Sequence, residues 1–249
     1  MNALVQKAGR FVARGVSRSV LPAVQETIIS VGFDDCPASA IETALPLMEA
    51  EGWRATIYVA CGLCDTENHL GKHMSLSDVV EVHKRGHEIA DHTFSHMSAN
   101  DVDIDVYLQD IEKNQHTLEA LGLPRSRHFA YPLGHLSPAL KRAVSERFLT
   151  CRGVLTPLGP KQDANLLKAT RVYSGERFQE ALSQIEAAKQ TPKWLNFFTH
   201  DVRENPSEFG CTPEEFQELV AAVKDSGLRV MTVADAYDAI QKQRVSNDI

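Results

Sequence analysis

Short apolar runs alternate with longer amphipathic stretches along most of the 249-residue chain. The apolar runs predict strands at 27–33, 55–59, 87–90, 128–131, 170–173, 195–199 and 228–232. The amphipathic stretches predict helices at 38–52, 75–86, 105–122, 137–147, 176–189, 212–225 and 233–243. Because little hairpin signal separates them, the pattern indicates an α/β fold with a mostly parallel sheet and helical crossovers.

The number of predicted strands favours a (β/α) barrel. Seven or eight strands fit that architecture, and neither a G-x-G-x-x-G motif nor a P-loop follows the first strand to indicate a nucleotide-binding fold. No repeat or linker interrupts residues 27–242, so we expect one domain there, between an N-terminal segment at 1–26 and a C-terminal tail at 243–249. In a barrel, the reacting groups lie at the carboxyl ends of the strands.

Composition narrows the functional classes. The chain has 26 Lys and Arg against 33 Asp and Glu, a net charge of −7, so no overall basic field attracts nucleic acid. Five cysteines, an odd number without a signal peptide, predict free thiols in a reducing compartment. We therefore expect a cytoplasmic protein that does not bind nucleic acid.

The N-terminal segment is basic and roughly amphipathic. Its basic residues recur at helical spacing beside an apolar stripe, the two sets being Lys7, Arg10, Arg14 and Arg18, and Leu4, Ala8, Phe11 and Val12. Two interpretations remain open at this point. In the first, the helix lies on an anionic membrane surface, which would place the protein at the inner face of the membrane. In the second, the helix closes one end of the domain.

Three H-x-x-x-H pairs compete as a metal site, namely His69/His73, His83/His87 and His92/His96. The second pair straddles a predicted helix end at Gly86, and the first lies in a polar loop. His92 and His96 come directly after the predicted strand at 87–90, where a barrel places its ligands. The position therefore favours the third pair.

Two other strand ends also carry polar groups. Asp34 and Asp35 follow the first strand, and His200 follows the strand at 195–199. Adjacent buried carboxylates repel and lose hydration, a cost that a divalent cation removes. One carboxylate and two imidazoles make a catalytic ligand set for Zn²⁺, although Fe²⁺, Co²⁺, Ni²⁺ and Mn²⁺ also accept it. The second aspartate is then free to act as a base, and His200 as an acid.

Four ordered motifs resemble those of the polysaccharide deacetylase family, the NodB-homology enzymes of carbohydrate esterase family 4. They are VGFDDCP, GHEIADHTFSH, FAYPLG and FFTHDV, and the resemblance covers about residues 27–242. It implies a distorted, incomplete (β/α)7–8 barrel of the NodB type. The implied reaction is the metal-dependent removal of an N- or O-acetyl group from a sugar.

The resemblance also implies individual roles. Asp34 would be the catalytic base, His200 the catalytic acid and the backbone N–H of Leu133 an oxyanion donor. The implied metal ligands are Asp35, His92 and His96.

The third motif departs from the R-x-P-Y-G found in many members of the family. This chain has Ala130-Tyr131-Pro132-Leu133-Gly134, so the arginine that steadies the base is missing locally, and Arg171 is the residue we expect to replace it. Tyr131 and Phe198 are predicted to contact the sugar and the acetyl methyl group. Packing in the core is the alternative for both.

The sequence therefore predicts a metal-dependent carbohydrate deacetylase acting on an N-acetylhexosamine-containing saccharide or its precursor, in the biosynthesis or modification of surface polysaccharide. One alternative is a hydrolase of a small cyclic amide, whose relatives lack the metal ligands present here. The other is an inactive barrel that binds a glycan or a partner protein. The presence of both Asp34 and His200 counts against the inactive barrel.

Overall fold

A computed structural model describes residues 9, 11–157 and 159–247. Its strands are β1 (Ile28–Asp34), β2 (Thr56–Val59), β3 (Glu67–Asn68), β4 (Gly71–Lys72), β5 (Glu88–Asp91), β6 (His128–Ala130), β7 (Thr150–Arg152), β8 (Thr170–Arg171), β9 (Trp194–Thr199) and β10 (Arg229–Val230). Its α-helices are α1 (Leu45–Ala50), α2 (Leu76–Lys84), α3 (Ile104–Ala120), α4 (Pro138–Ser145), α5 (Glu176–Gln190), α6 (Pro213–Ser226) and α7 (Val233–Asn247).

Seven strands form a curled parallel half-barrel in the order β7-β6-β5-β2-β1-β9-β8, and β10 pairs with the start of β1. The two edges of the sheet approach each other, because Arg152 of β7 forms a parallel bridge with Leu167, just before β8. This arrangement confirms the predicted α/β fold and its incomplete barrel. All seven residues of β1, which pairs with β2, β9 and β10, are buried.

Helix ends lie where the capping residues of the sequence place them. Ser75 and Thr212 form capping boxes at the starts of α2 and α6, and Pro138 lies in the first turn of α4. The helix predicted at 38–52 is divided into a π-helical turn at Ala40–Ala44 and α1, whose first turn contains Pro46. Leu45 N–H donates to the carbonyl of Ala40 in the π-helical turn, and Pro46, which follows, has no N–H to donate.

Three strands were not predicted from the sequence. β3 and β4 form a two-stranded antiparallel hairpin, which we call the pocket hairpin, in a region predicted to be a polar loop. β7 contains only three residues, too few to show a strand period. None of the described helices is both long enough and apolar enough to cross a membrane.

The predicted N-terminal helix falls partly outside the described residues, which omit Leu4, Lys7, Ala8 and Arg10. The part of the segment at 11–21 lies against the loop that precedes β8, with backbone hydrogen bonds from Leu21 N to Gln162 O and from Ala164 N to Ser19 O. All five cysteines are buried free thiols.

Candidate active site at the carboxyl ends of the strands

A cavity of about 460 Å³ opens where the carboxyl ends of β1, β5 and β9 meet. Asp34 ends β1, His92 follows β5 directly and His200 follows β9 directly. The parallel register of these strands brings residues that are far apart in sequence to one edge of the sheet. The cavity wall includes all of the predicted site residues: Asp34, Asp35, His92, His96, Tyr131, Leu133, Arg171, Phe198 and His200.

The predicted ligands form a compact group around one carboxylate. Asp35 Oδ1 lies 3.3 Å from His92 Nε2 and 3.2 Å from His96 Nε2. His92 Nδ1 lies 2.8 Å from the carbonyl oxygen of Ala130, which can only accept, so the proton is on Nδ1 and the Nε2 lone pair faces Asp35. Asp35 Oδ1 is buried without a hydrogen-bond donor. These facing acceptors fit a divalent cation, which would neutralise their repulsion.

The protonation states support the same assignment. Burial lowers the pKa of His96 to about 4, so its imidazole is neutral at physiological pH. Burial opposes ionisation of Asp35, but the neighbouring imidazoles of His92, His96 and His200 favour its carboxylate form and bring its pKa below the usual range. Burial also lowers the pKa of His92, but the Asp35 carboxylate raises it above its ordinary value overall. A proton and a cation therefore compete for the position beside Asp35.

Asp34 does not share this environment, because it faces an arginine. Arg152 Nη2 lies 2.6 Å from both carboxylate oxygens, and the guanidinium lies 4.7 Å and 4.5 Å from the ring centroids of Tyr58 and Phe198. Arg152 Nη1 also donates to the carbonyl of Gly153 at 3.1 Å. Both charged groups are buried, which is tolerated because each is paired and hydrogen-bonded.

This contact corrects the sequence interpretation of Arg171. Arg171 lines the cavity, but among the described residues it forms no ion pair with Asp34. Arg152, at the end of β7, is the arginine in that position. β7 was not predicted, so its terminal residue was not considered as part of a strand-end site.

His200 also lines the cavity, beside several aromatic rings. Its Nδ1 donates to the carbonyl of Phe209 at 3.1 Å, and its Nε2 lies 3.9 Å from Asp35 Oδ2. The ring centroids of Tyr173 and Phe209 are 5.9 Å and 5.6 Å from that of His200. The backbone contact fixes the ring so that Nε2 faces the reacting groups.

The other predicted residues lie at the margin of the cavity. Leu133 has a side chain 55% exposed, whereas Tyr131 is 1% exposed and packs on Phe129 with a ring separation of 5.2 Å. Phe198 is buried between Arg152 and Tyr173, whose ring lies 5.7 Å away. Core packing and contact with the cavity are thus combined in Phe198 and Tyr131.

Sequence reasoning missed the pocket hairpin as a wall of the site. Asn68, His69 and Leu70 at its tip line the cavity. Arg203 holds the tip, because its Nη2 donates to the carbonyl of His69 at 3.0 Å while its Nε donates to buried Asp201 at 2.8 Å. No local motif marks this contact, since 134 residues separate its partners.

Backbone conformation around the ligands is unusual. Left-handed φ values occur at five non-glycine residues in or beside the site, Asp35 (63°), Cys36 (52°), Thr93 (60°), His96 (50°) and Leu133 (57°). Side chains hold this backbone in place. Asp110 on α3 accepts hydrogen bonds from Ser95 N at 2.8 Å and Ser95 Oγ at 2.9 Å, next to His96.

Comparison with known proteins agrees with these observations. A family model described as polysaccharide deacetylase matches residues 22–150, more than half of the chain. No curated protein sequence matches. Among solved structures, the chitin deacetylase of the fungal pathogen Colletotrichum lindemuthianum has a TM-score of 0.63 at 15% identity, covering 86% of this chain and 89% of that one.

Two bacterial structures show the same fold. The peptidoglycan deacetylase PdaC of Bacillus subtilis has a TM-score of 0.58 at 17% identity, with coverage of 90% of this chain and 96% of that one. A family 4 acetyl xylan esterase from Clostridium thermocellum, in complex with a cobalt ion, has a TM-score of 0.61 at 19% identity, with coverage of 86% and 91%. The similarity therefore extends over nearly the whole chain.

Proposed function

The chain belongs to the polysaccharide deacetylase family, whose members are metal-dependent carbohydrate deacetylases, and we propose that it hydrolyses the N-acetyl group of an N-acetylhexosamine-containing carbohydrate. The observation that supports this most strongly is the separation of the two aspartates. Asp35 faces two imidazoles, whereas Asp34 is paired with Arg152 and takes no part in the ligand group. One carboxylate is thus assigned to the metal and the other to proton transfer.

In the proposed reaction, Asp34 and His200 transfer protons one after the other. Asp34 accepts a proton from the water that attacks the acetyl carbonyl carbon, while Arg152 keeps the carboxylate in place. His200 Nε2 then donates a proton to the departing amine nitrogen, and the C–N bond breaks to release acetate. The backbone N–H of Leu133 is the proposed donor to the oxyanion.

Asp35, His92 and His96 would hold the metal, and we propose Zn²⁺ as its identity. When bound, such a cation polarises the carbonyl group and makes water more acidic. The donor set of one carboxylate and two imidazoles suits Zn²⁺, and Co²⁺, Ni²⁺, Mn²⁺ and Fe²⁺ also accept these ligands. Metal analysis of the purified protein would distinguish them.

The walls of the cavity support a small saccharide as the substrate. Its volume of about 460 Å³ lies within the usual range for small-molecule sites. The pocket hairpin closes one side, and the rings of Tyr173 and Phe209 supply apolar surface beside His200. Such a site accommodates an N-acetylhexosamine unit more readily than it does a flat polymer surface. The roles in surface polysaccharide metabolism and the cytoplasmic location stay predictions.

Acetate release would test the proposal directly. We expect metal-stripped protein to release no acetate from N-acetylglucosamine oligomers or from phosphate-linked N-acetylglucosamine until Zn²⁺ is added. Asp34→Asn should remove the activity while retaining Zn²⁺. If the wild-type protein binds Zn²⁺ but releases no acetate from any of these sugars, the assigned substrate class is wrong. The small cyclic amides are then the next substrates to assay.

A further inference from the structure

A buried lysine anchors the N-terminal segment beside the active-site end of the sheet. Lys141 Nζ donates to the carbonyls of Ala13 at 3.1 Å and Val16 at 2.9 Å, and it pairs with Asp163 Oδ2 at 2.7 Å. The Lys141 side chain is fully buried. A buried ammonium with three acceptors fixes its partners firmly, so the segment at 13–16 has a defined place in the fold.

Two further hydrogen bonds hold the next residues of the segment. Ser19 N donates to Asp163 Oδ1 at 2.8 Å, and Asn165 Nδ2 donates to the carbonyl of Ser17 at 2.7 Å. Arg14 and Arg18, which lie between these contacts, reach the wall of a cavity of about 360 Å³. Their positions are therefore set by the backbone on either side of them.

Four cations line this cavity, which we call the basic cavity: Arg14, Arg18, Lys161 and Lys168. Asp163 is the acidic residue in its wall, but its carboxylate is already neutralised by Lys141. Across the part of the chain that the structure describes, none of the four cations forms an ion pair. This local excess of positive charge stands out in a chain with a net charge of −7.

A smaller cavity of about 240 Å³ shares wall residues with both the basic cavity and the active-site cavity. Val154 lines both the active-site cavity and this smaller one. Arg14, Leu155 and Leu166 line both the smaller one and the basic cavity. The three cavities are thus neighbours, and we expect a ligand whose sugar lies at Asp35 to reach the four cations past Val154 and Arg14.

We propose that the basic cavity binds the diphosphate of a glycosyl diphosphate, so that the substrate is an N-acetylhexosamine activated by a diphosphate ester. This inference rests on the proposed deacetylase function and specifies its substrate class. One guanidinium group can bind two phosphate oxygens at once, and a lysine ammonium adds a point charge. The aglycone beyond the diphosphate is a nucleoside or a prenyl lipid.

Steady-state kinetics with three substrates would test the proposal. They are uridine diphosphate N-acetylglucosamine, farnesyl diphosphate N-acetylglucosamine and neutral di-N-acetylchitobiose. The measured quantity is the ratio of kcat/KM for each diphosphate substrate to that for the neutral sugar. In the Arg18→Gln/Lys161→Gln protein we expect this ratio to fall about tenfold or more, because two charged contacts are lost.

The control is Lys84→Gln/Arg229→Gln, which removes the same charge at the opposite end of the sheet. Lys84 ends α2, ahead of β5, and Arg229 begins β10. The control should retain the wild-type ratio. A fall with only one of the two diphosphate substrates would support the site and identify the aglycone. If Arg18→Gln/Lys161→Gln leaves the ratio unchanged for both diphosphate substrates, the proposed site is wrong.

Failure of the deacetylase function would be recognised separately. If no substrate releases acetate, calorimetric titration with inorganic pyrophosphate still measures the basic cavity. Binding that weakens about tenfold or more in Arg18→Gln/Lys161→Gln, but not in Lys84→Gln/Arg229→Gln, would support a diphosphate site. Equal binding by all three proteins, or none by the wild type, would overturn it.

Discussion

Arg152 Nη2 lies 2.6 Å from both carboxylate oxygens of Asp34, whereas the neighbouring Asp35 faces His92 and His96. Arg152 thereby supplies the counter-charge of Asp34, whereas Asp35 faces two imidazole nitrogens that together with it fit a divalent cation. Adjacent carboxylates thus have different partners in one buried site. The division also gives the two residues different chemical roles.

Replacing Arg152 with methionine should destabilise the protein by about 3–5 kcal/mol, because it leaves the buried Asp34 carboxylate unpaired. Chemical unfolding would measure the loss in free energy. Adding Asp34→Asn to the same protein should restore part of it, since the uncompensated charge is then removed. Arg171→Met, which changes an arginine that lines the cavity without pairing with Asp34, should have little effect. Equal losses in the two arginine variants would contradict the assignment.

Asp110 should influence metal affinity without touching the metal. Its carboxylate holds the backbone and hydroxyl of Ser95, which precedes the ligand His96. Asp110→Ala should weaken Zn²⁺ binding about 10–100-fold, because that is the usual loss when a group that orients a metal ligand is removed. Competition with a chromophoric chelator would measure this affinity. Asp105→Asn, an exposed change on the same helix, is the matched control and should bind Zn²⁺ as the wild type does.

His200→Gln should lower kcat by about 10²–10⁴-fold, the usual contribution of a positioned acid. Its Zn²⁺ content should remain that of the wild type, because His200 lies outside the group formed by Asp35, His92 and His96. Acetate release and metal analysis on the same preparation would measure both. Retention of full kcat would show that another group protonates the leaving amine.

Glu88 at the start of β5 should make stability depend on pH. One of its carboxylate oxygens accepts from Thr56 Oγ1 at 2.8 Å and Ala234 N at 2.9 Å, and the other is buried without a partner. Burial raises the pKa of Glu88 from 4.5 to about 7, with a smaller contribution from Asp235. At pH values between about 4.5 and about 7, Glu88 is therefore more often protonated in the folded protein than in the unfolded chain.

The free energy of unfolding should therefore decrease as pH rises from about 4.5 to about 7, by up to about 3 kcal/mol from this one group. Urea unfolding at pH 5 and pH 8 would measure the decrease. Glu88→Gln cannot titrate, so its decrease should be smaller than that of the wild type. Identical decreases in the two proteins would show that Glu88 titrates normally.

The sequence predicted the main groups of the site because each follows a strand with a clear apolar period. Asp34 ends β1 and Asp35 follows it, while His92 follows β5 and His200 follows β9. Parallel strands bring such ends together. The same alternation predicted a (β/α) barrel of seven or eight strands, and the family resemblance implied that it is incomplete. These features depend on local sequence and on one general rule of topology.

The groups that the sequence did not reveal depend on short elements and long-range contacts. Arg152 ends a three-residue strand, and a charged residue there gives no apolar signal. The pocket hairpin has two-residue strands, and its tip is held by Arg203, far along the chain. Such contacts are set by the packed fold, so local periodicity contains no information about them.

The left-handed backbone at Thr93, His96 and Leu133 implies a compromise between activity and robustness. Each non-glycine residue held there costs of order 1–3 kcal/mol, and the surrounding fold must compensate. Glycine at exposed Leu133 would relax that strain, yet it would also loosen the loop that bears the proposed oxyanion donor. Selection for thermal tolerance alone would thus tend to erode the geometry on which turnover depends.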